Sequence, residues 1–447
     1  MQSSQLIQAC EQAVQAALRG GATAADAKAI HSTHLTASVR LGAPETIERA
    51  ESSGIGLRVF VGQQYATLST ADTRPEALAT LVENALAIAK AAPADPFAGL
   101  ADAAFAPDIL PDLELFDAAE PTMEQLQAHA AACEESGLST QGITNSEGAD
   151  ASYSAYAVAL VNSQGASFHY RTSQHALSCS LIAGEGERMQ RDYAYHTTRF
   201  ASDLAAPEIL GAEAATRSFA RLNPRKIPSQ KVAVMFEPRV ARHLLSAFAS
   251  AINGAAIARG TSFLKSAMGE ACFAPGIRIH DNPLLTRGLG SRPCDSEAVT
   301  CQPLVLVEGG VLQHWLLDSR SARQLGLRTT GHAVRGLASA PSPAPSNVYL
   351  EAGSESPEAM LKNLPAVFYV TETFGHGLNL ITGDYSQGAS GFWMVHGERH
   401  YAVSEVTIAG NLRDMFRALV PANDLAFRYA INSPSLLIEG MSLAGSA

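Results

Sequence analysis

Ser152 to Arg171 reads SYSAYAVALVNSQGASFHYR, and this stretch decides the fold class. Alternating runs flank Asn162 to Gly165, which supplies the turn between two antiparallel strands. Further alternating runs fill Gly142 to His196, so the segment reads as an antiparallel meander, closed by an Ala-rich helix around Ala205 to Leu222.

Toward the N-terminus, Thr122 with Gln125 predicts a capping box opening a helix that ends near Gly137. Ala92 to Pro121 is rich in Ala, Pro and Asp with weak periodicity and reads as an extended surface connection. Before it, Arg74 to Ala91 has helical spacing. Ala27 to Leu68 holds short β-rich runs, GIGLRVFV and QYATLST among them, joined by a turn at Gly62-Gln63. The chain opens with an amphipathic helix through Leu6, Ile7, Cys10, Ala13, Val14, Ala17 and Leu18, stopped by Gly20-Gly21.

Toward the C-terminus, NPRKIPSQK at Asn223 to Lys231 is polar, basic and broken by two prolines, which places the main boundary there. The expected division is an α+β region over 1–228, with a first part at 1–110 and a central part at 122–222, followed by a mainly antiparallel β domain at 229–447. That second region opens with the strand KVAVMF and a helix at Arg239 to Ala258. Strands are predicted at Ala298 to Val307, Val311 to Leu317, Val367 to Thr373, Gly391 to His396 and Ser404 to Ile408, assembled in a barrel-like way.

The 447 residues, 47% hydrophobic and 17% charged, suffice for two or three cores. A formal charge of -11 without any basic run argues against a nonspecific grip on nucleic acid. MQSSQLIQACEQ has neither a basic leader nor an apolar core, and no stretch stays apolar long enough for a bilayer, so a cytoplasmic protein is expected. Six scattered cysteines without a CxxC pair read as reduced, buried thiols.

Thirteen histidines form no His-Glu-x-x-His or His-Glu-x-x-x-His string. His396 and His400 stand four apart, but Gly397 and the flanking β-rich runs make HGERH a hairpin tip. Glu372 and His376 run into a glycine-flanked loop, and His31 and His34 lack an acidic neighbour. Ser262 and Lys265 match Ser-x-x-Lys without the companion strings of that chemistry. No Gly-x-Ser-x-Gly elbow, Walker loop or GxGxxG is present, although GHG at 375–377 and GLG at 288–290 are fragments of such patterns.

RGTSFL at Arg259 to Leu264, HDNP at His280 to Pro283, CDSEAV at Cys294 to Val299 and LVEGGVLQHWLLDSRSARQLG up to Gly326 follow in order. TTGHAVRG, TGDYSQGASGFWMVHGE from Thr382, EVTIAGNL and SPSLLIEGMSLAG complete the series. Together, over about Lys231 to the end, they resemble the TldD/PmbA family, also called the modulator of DNA gyrase family, and within it the PmbA (TldE) branch.

In that family the TldD subunit is a zinc protease with a His-Glu-x-x-x-His helix a fixed distance before Arg-Gly-Thr-Ser and a cysteine ligand near the C-terminus. Counting back from Arg259 places the two histidines and the glutamate at Leu245, Ser250 and Ser246, none of which can serve. Cys301 is the last cysteine, and the matching C-terminal stretch reads DLAFRYAINSPSL. The resemblance therefore implies a chain with no catalytic residue and no metal of its own, active in proteolysis only beside a TldD-type partner that carries the zinc.

The implied role is to complete a chamber for unfolded peptide. Candidate contacts are the glycine-rich loops with Phe374, Gly375, His376 and Gly377, and with Gly383, Asp384, Gly388 and Gly391, where missing side chains let another backbone approach. Arg259, Gly260, Ser262, Asp295 and Glu297 belong to the family strings as structural residues; Asp295, Glu297 and Asp384 are expected to fix turns or to pair with arginines such as Arg259 and Arg335. Alternatives are a homodimeric peptide-binding protein, a topoisomerase-linked regulator and, last, hydrolysis through an unrecognised site.

Overall fold

The computed structural model describes residues 3–446. Strands β1 (Ala24–Arg40), β2 (Ala43–Val61), β3 (Gln64–Thr70), β4 (Ile143–Asn162), β5 (Ser167–Ala183) and β6 (Gln190–Thr198) form one sheet in the order β3-β2-β1-β4-β5-β6, every pair antiparallel. The β4–β5 hairpin turns at Asn162, whose side chain accepts from Gln164 and Ala166. The seam between β1 and β4, with Ala29 opposite Ala159, joins the first and central parts of the N-terminal region into one layer.

Where the sequence suggests short runs before Leu68, the structure has two long strands turning at Leu41-Gly42, both at positive φ. The first half of β2 is exposed on both faces, so no alternation marks it. Its second half, GIGLRVFV, is buried and carries the signal.

Four helices cover one face. α1 (Ser3–Arg19) and α2 (Pro75–Ala91) pack Leu6, Cys10, Val14 and Leu81 onto Ala27, Ile55 and Leu57. α3 (Met123–Leu138) and α4 (Pro207–Ala220) pack Leu126, Cys133 and Leu210 onto Leu35, Ala37 and Leu177. The Thr122–Gln125 capping box is present in both directions, satisfying two orphan donors of α3. All six cysteines are free and buried.

The opposite face docks on the C-terminal half. Gly56 lies where a Cβ would come within 1.9 Å of the Leu337 carbonyl oxygen, so only glycine admits this crossing of backbones. Beside it, Asp26, Arg58, Arg335 and Glu297 are buried together: Asp26 pairs with Arg58 and, at 2.8 Å, with Arg335, while Glu297 lies 3.5 Å from Arg58. Lys28 donates to the Arg335 carbonyl at 2.7 Å.

In the C-terminal half, β7 (Gln230–Phe236) pairs in parallel with Val367–Phe374 and antiparallel with Leu436–Ala444. Asp384–Val395 and Glu398–Asn411 follow, and Thr407 to Ala409 pair back onto Ser442 to Ala444. That last pairing closes the sheet on itself, as the barrel-like expectation has it.

Three predicted elements are shorter than expected. Between Ala298 and Val307 only Leu304–Glu308 is strand, because the Asp295 turn occupies the start, and Val311 to Leu317 reduces to Val311–Leu312. The helix predicted at Arg239 to Ala258 is α5 (Pro238–Ala251) and a separate turn at Gly254–Ala258. Asn253 makes the break by capping the second piece, its side chain accepting from Ala255 and Ala256. The apolar face of α5 is anchored by Phe248, edge-on to Phe273 and Phe416.

Candidate functional site

α5 carries the positions where the resemblance puts the lost protease motif. Its face alternates between packing and local hydrogen bonding. Leu245 is 2% exposed, within the core. Ser246 Oγ donates to the Arg242 carbonyl at 3.1 Å and Ser250 Oγ to the Ser246 carbonyl at 2.8 Å. Both hydroxyl protons are thus held by the helix's own backbone one turn back.

An arginine and two tyrosines cluster along the same helix. Arg242 Nη2 donates to the Tyr195 hydroxyl at 3.1 Å, and its guanidinium lies 4.3 Å from the centre of the Tyr429 ring. The Tyr195 and Tyr429 rings are 5.5 Å apart. Burial, and then the neighbouring Tyr429, pushes the Tyr195 phenol above its ordinary range, so it stays a protonated donor. The arrangement offers N–H and O–H donors and aromatic faces, which suit a peptide backbone or a carboxylate.

The start of α5 is fixed by a network of buried charge. Arg239 donates to Asp192 at 2.8 Å, to Glu237 at 2.9 Å and to the Thr371 carbonyl at 2.9 Å. Arg221 joins Asp192 at 3.3 Å to Glu372 at 2.5 Å, and Arg217 reaches Glu237 at 3.2 Å. Burial acts to raise Asp192, but its hydrogen bonds and ion pairs with Arg239 and Arg221 win and hold it below the usual carboxylate range. β6, α4, α5 and the barrel are thereby tied at one point.

The family strings around Arg259 and the glycine-rich loop meet: the Phe263 amide donates to the Leu380 carbonyl at 2.8 Å, and Arg413 donates to the Phe263 carbonyl at 2.9 Å. Ser262 is buried and donates to the Ala251 carbonyl, while Lys265 reaches the Gly260 carbonyl, so that pair is not a nucleophile and its base. Gly260 stands at φ +70, where a side chain would strain the turn.

In the loops proposed for peptide contact, Phe374 and His376 are exposed, Gly375 and Gly383 have positive φ, and Asp384 accepts from Thr382 and Asn411. The Cβ space of Gly377 is filled by the Ser386 carbonyl, that of Gly388 by the Phe374 ring and that of Gly391 by the Tyr369 carbonyl. At these three positions the approaching backbone or ring belongs to the chain itself. His396 and Gly397 form the turn between Asp384–Val395 and Glu398–Asn411.

Asp295 accepts from the amides of Glu297, Val299 and Ala333, which fixes its turn. Glu297 accepts from the Ser319 amide and pairs with Arg58. The arginine partners named from sequence differ: Arg335 pairs with Asp26 from the other half, and Arg259 makes no ion pair among the described residues. Pairings across more than 300 positions leave no local trace.

The residues at the matched motif do not fit a zinc ion. Leucine has no donor atom, both serine hydroxyls are held by carbonyls, and among the described residues no three His, Cys, Asp or Glu side chains gather to hold a metal. Tyr195, Tyr429 and Arg242 escaped the sequence reading because they come from three distant segments; the alternation of YAYH at 193–196 was the one local signal.

Three family models match the chain: PmbA/TldA metallopeptidase domain 1 over 25–89, the central domain over 106–222 and the C-terminal domain over 229–445. The metalloprotease PmbA of Escherichia coli O157:H7 is 38% identical over 441 residues, covering 97% of this chain and 96% of the relative. A Bacteroides thetaiotaomicron structure described as a candidate modulator of DNA gyrase is 25% identical, with a TM-score of 0.90 and 98% of both chains covered. TldE of Thermococcus kodakarensis shares the fold, with a TM-score of 0.88 at 18% identity, over 98% of this chain and 100% of that one. On the matched models and the identity to PmbA, the chain belongs to the PmbA/TldD family.

Proposed function

We propose that this chain is the non-catalytic, PmbA/TldE-type member of a cytoplasmic protease pair, in which a TldD-type partner brings the zinc and the general base. The observation that carries this reading is α5: the fold keeps the helix, but it presents Leu245 to the core and ties Ser246 and Ser250 to its own carbonyls. The name of the Escherichia coli relative, metalloprotease PmbA, supports a part in proteolysis. The Tyr195, Tyr429 and Arg242 cluster and the exposed Phe374 loop support a part in holding unfolded substrate. No helix among the described residues is long and apolar enough to cross a membrane, which accords with a cytoplasmic location.

The test is zinc content and cleavage of casein or an unfolded peptide by the purified chain, alone and mixed with the TldD-type protein of the same source. Inactivity alone with zinc-dependent cleavage in the mixture is expected. Stoichiometric zinc and cleavage by the chain alone would sink the reading. A homodimeric peptide-binding protein would purify without a TldD-type chain and leave the partner's cleavage unchanged. A topoisomerase-linked regulator, the role suggested by the description of the Bacteroides thetaiotaomicron protein, is disfavoured as a DNA binder by the charge of -11.

A further inference from the structure

Arg199, immediately after β6, is 8% exposed. Its guanidinium donates to the carbonyls of Ser173 at 3.1 Å, Gly288 at 3.3 Å and Leu289 at 2.6 Å, the last two in the GLG string. These are neutral acceptors. Arg199 makes no ion pair among the described residues, and burial pulls it down to about 10. A buried cation without a counter-charge is costly unless something else supplies the anion. Three carbonyls also leave two of its five N–H bonds free.

Arg199 lines a cavity of about 410 Å³ between the central and C-terminal regions. Two more arginines line it. Arg287 is neutralised by Asp203 at 3.0 Å and Glu114 at 2.7 Å, whereas Arg428 is exposed and has no ion pair among the described residues. His196 Nδ1 accepts from the Ala205 amide at 2.9 Å, which leaves the proton on Nε2 as a further donor. Leu285, Leu289 and Phe427 supply apolar wall, and Tyr429 connects the cavity to Arg242 and α5. The space exceeds what a bare carboxylate needs and suits a terminal residue with its side chain.

We infer that this cavity binds the C-terminal carboxylate of an extended peptide, with Arg199 at its buried end and Arg428 at its mouth. The choice of a peptide to carry the carboxylate rests on the proposed function; the anion chemistry does not. Bound there, the chain end would be fixed relative to α5 and Tyr429, so that a peptide is held by its terminus and not by its sequence.

The test uses the full chain and an N-terminally fluorescein-labelled, unstructured peptide ending in leucine, made as the free acid and as the C-terminal amide. Fluorescence anisotropy is expected to give binding of the acid about tenfold tighter than the amide, a difference that shrinks with added salt. Arg428→Gln, at an exposed position, is expected to weaken the acid about fivefold or more and leave the amide unchanged. Arg199→Gln is expected to abolish the preference, but Arg199 also ties β6 to the GLG loop, so the amide comparison and Arg428→Gln carry the test. Equal binding of acid and amide, no binding of either, or indifference to Arg428→Gln overturns the inference. Displacement of the peptide by inorganic phosphate at equal concentration also overturns it, in favour of a small-anion site. None of these results bears on the mixed cleavage assay, so a failure here and a failure of the partner reading are separately visible.

Discussion

Two networks of buried charge join the N-terminal sheet to the C-terminal half, and they are built differently. At the β6 end, Asp192 and Glu237 accept hydrogen bonds of 2.8–3.3 Å from Arg239, Arg221 and Arg217. At the β1–β2 end, Asp26 faces Arg58 and Arg335, but Arg335 Nε, Nη1 and Nη2 find no well-aligned hydrogen bond, and Asp295 and Glu297 crowd one another. A satisfied network holds one arrangement firmly, while a half-satisfied one leaves charge that responds to its surroundings. The firm one is beside α5, where the relation of helix to sheet matters most.

Breaking the firm network is expected to have the largest effect. Asp192→Ala removes the carboxylate that Arg239 and Arg221 share, leaving them Glu237 and Glu372 as single partners, and should cost about 3 kcal/mol, the low end for breaking a buried pair, read as a lower urea midpoint. Asp192 is held below its unfolded value, so the stability it contributes is present above about pH 4 and is lost as pH falls through its folded value. A loss under about 1 kcal/mol would mean that the two networks do not differ in the way described.

Gly56→Ala tests the other end without touching a charge. The added methyl meets the Leu337 backbone at 1.9 Å, which cannot be relieved by a side-chain rotation. The expected cost is about 1–3 kcal/mol, together with weaker docking of β2, seen as faster amide exchange along β1 and β2. Unchanged exchange with unchanged stability would show that the crossing adjusts freely.

These two ends also mark what the sequence discloses. The β4–β5 hairpin, the Thr122–Gln125 box and the Asp295 turn were legible because each is decided within a few residues. The Leu41-Gly42 turn was not, since polar, exposed residues follow it and leave no period to read. Asp26 with Arg335 and Arg242 with Tyr429 join positions 309 and 187 residues apart, so the ion-pair partner of Arg335 is Asp26 of the other half, which no local pattern marks. The absence of the protease motif on α5 could be read residue by residue; what fills the space beside that helix could not.

Asp295 is expected to show the pH response of the looser end. Burial, and then Glu297, raises its carboxyl to about 7, against about 3.9 in the unfolded chain. Between those values the folded state holds a proton that the unfolded state releases, so this contribution is present below about pH 4 and fades as pH rises through 7. In Asp295→Asn the amide no longer titrates, although it faces the Ala333 amide poorly. The difference in Tm between wild type and variant should therefore shrink by a few degrees from pH 5.5 to 8. A difference independent of pH would remove the contrast with Asp192.

The smallest expected effect is the one that bears most directly on function. Ser246 and Ser250 occupy the positions of the glutamate and second histidine of a zinc protease, and their hydroxyls do nothing but bond the helix backbone. Alanine is the better helix former, and losing such a back-bond costs little. Ser246→Ala and Ser250→Ala should each change stability by less than about 0.5 kcal/mol and leave cleavage by the mixed pair within about twofold of wild type. If either variant lowered cleavage tenfold or more at unchanged stability, the hydroxyl would have to reach substrate in the assembled pair, and α5 would then be a working surface and not merely a retained one.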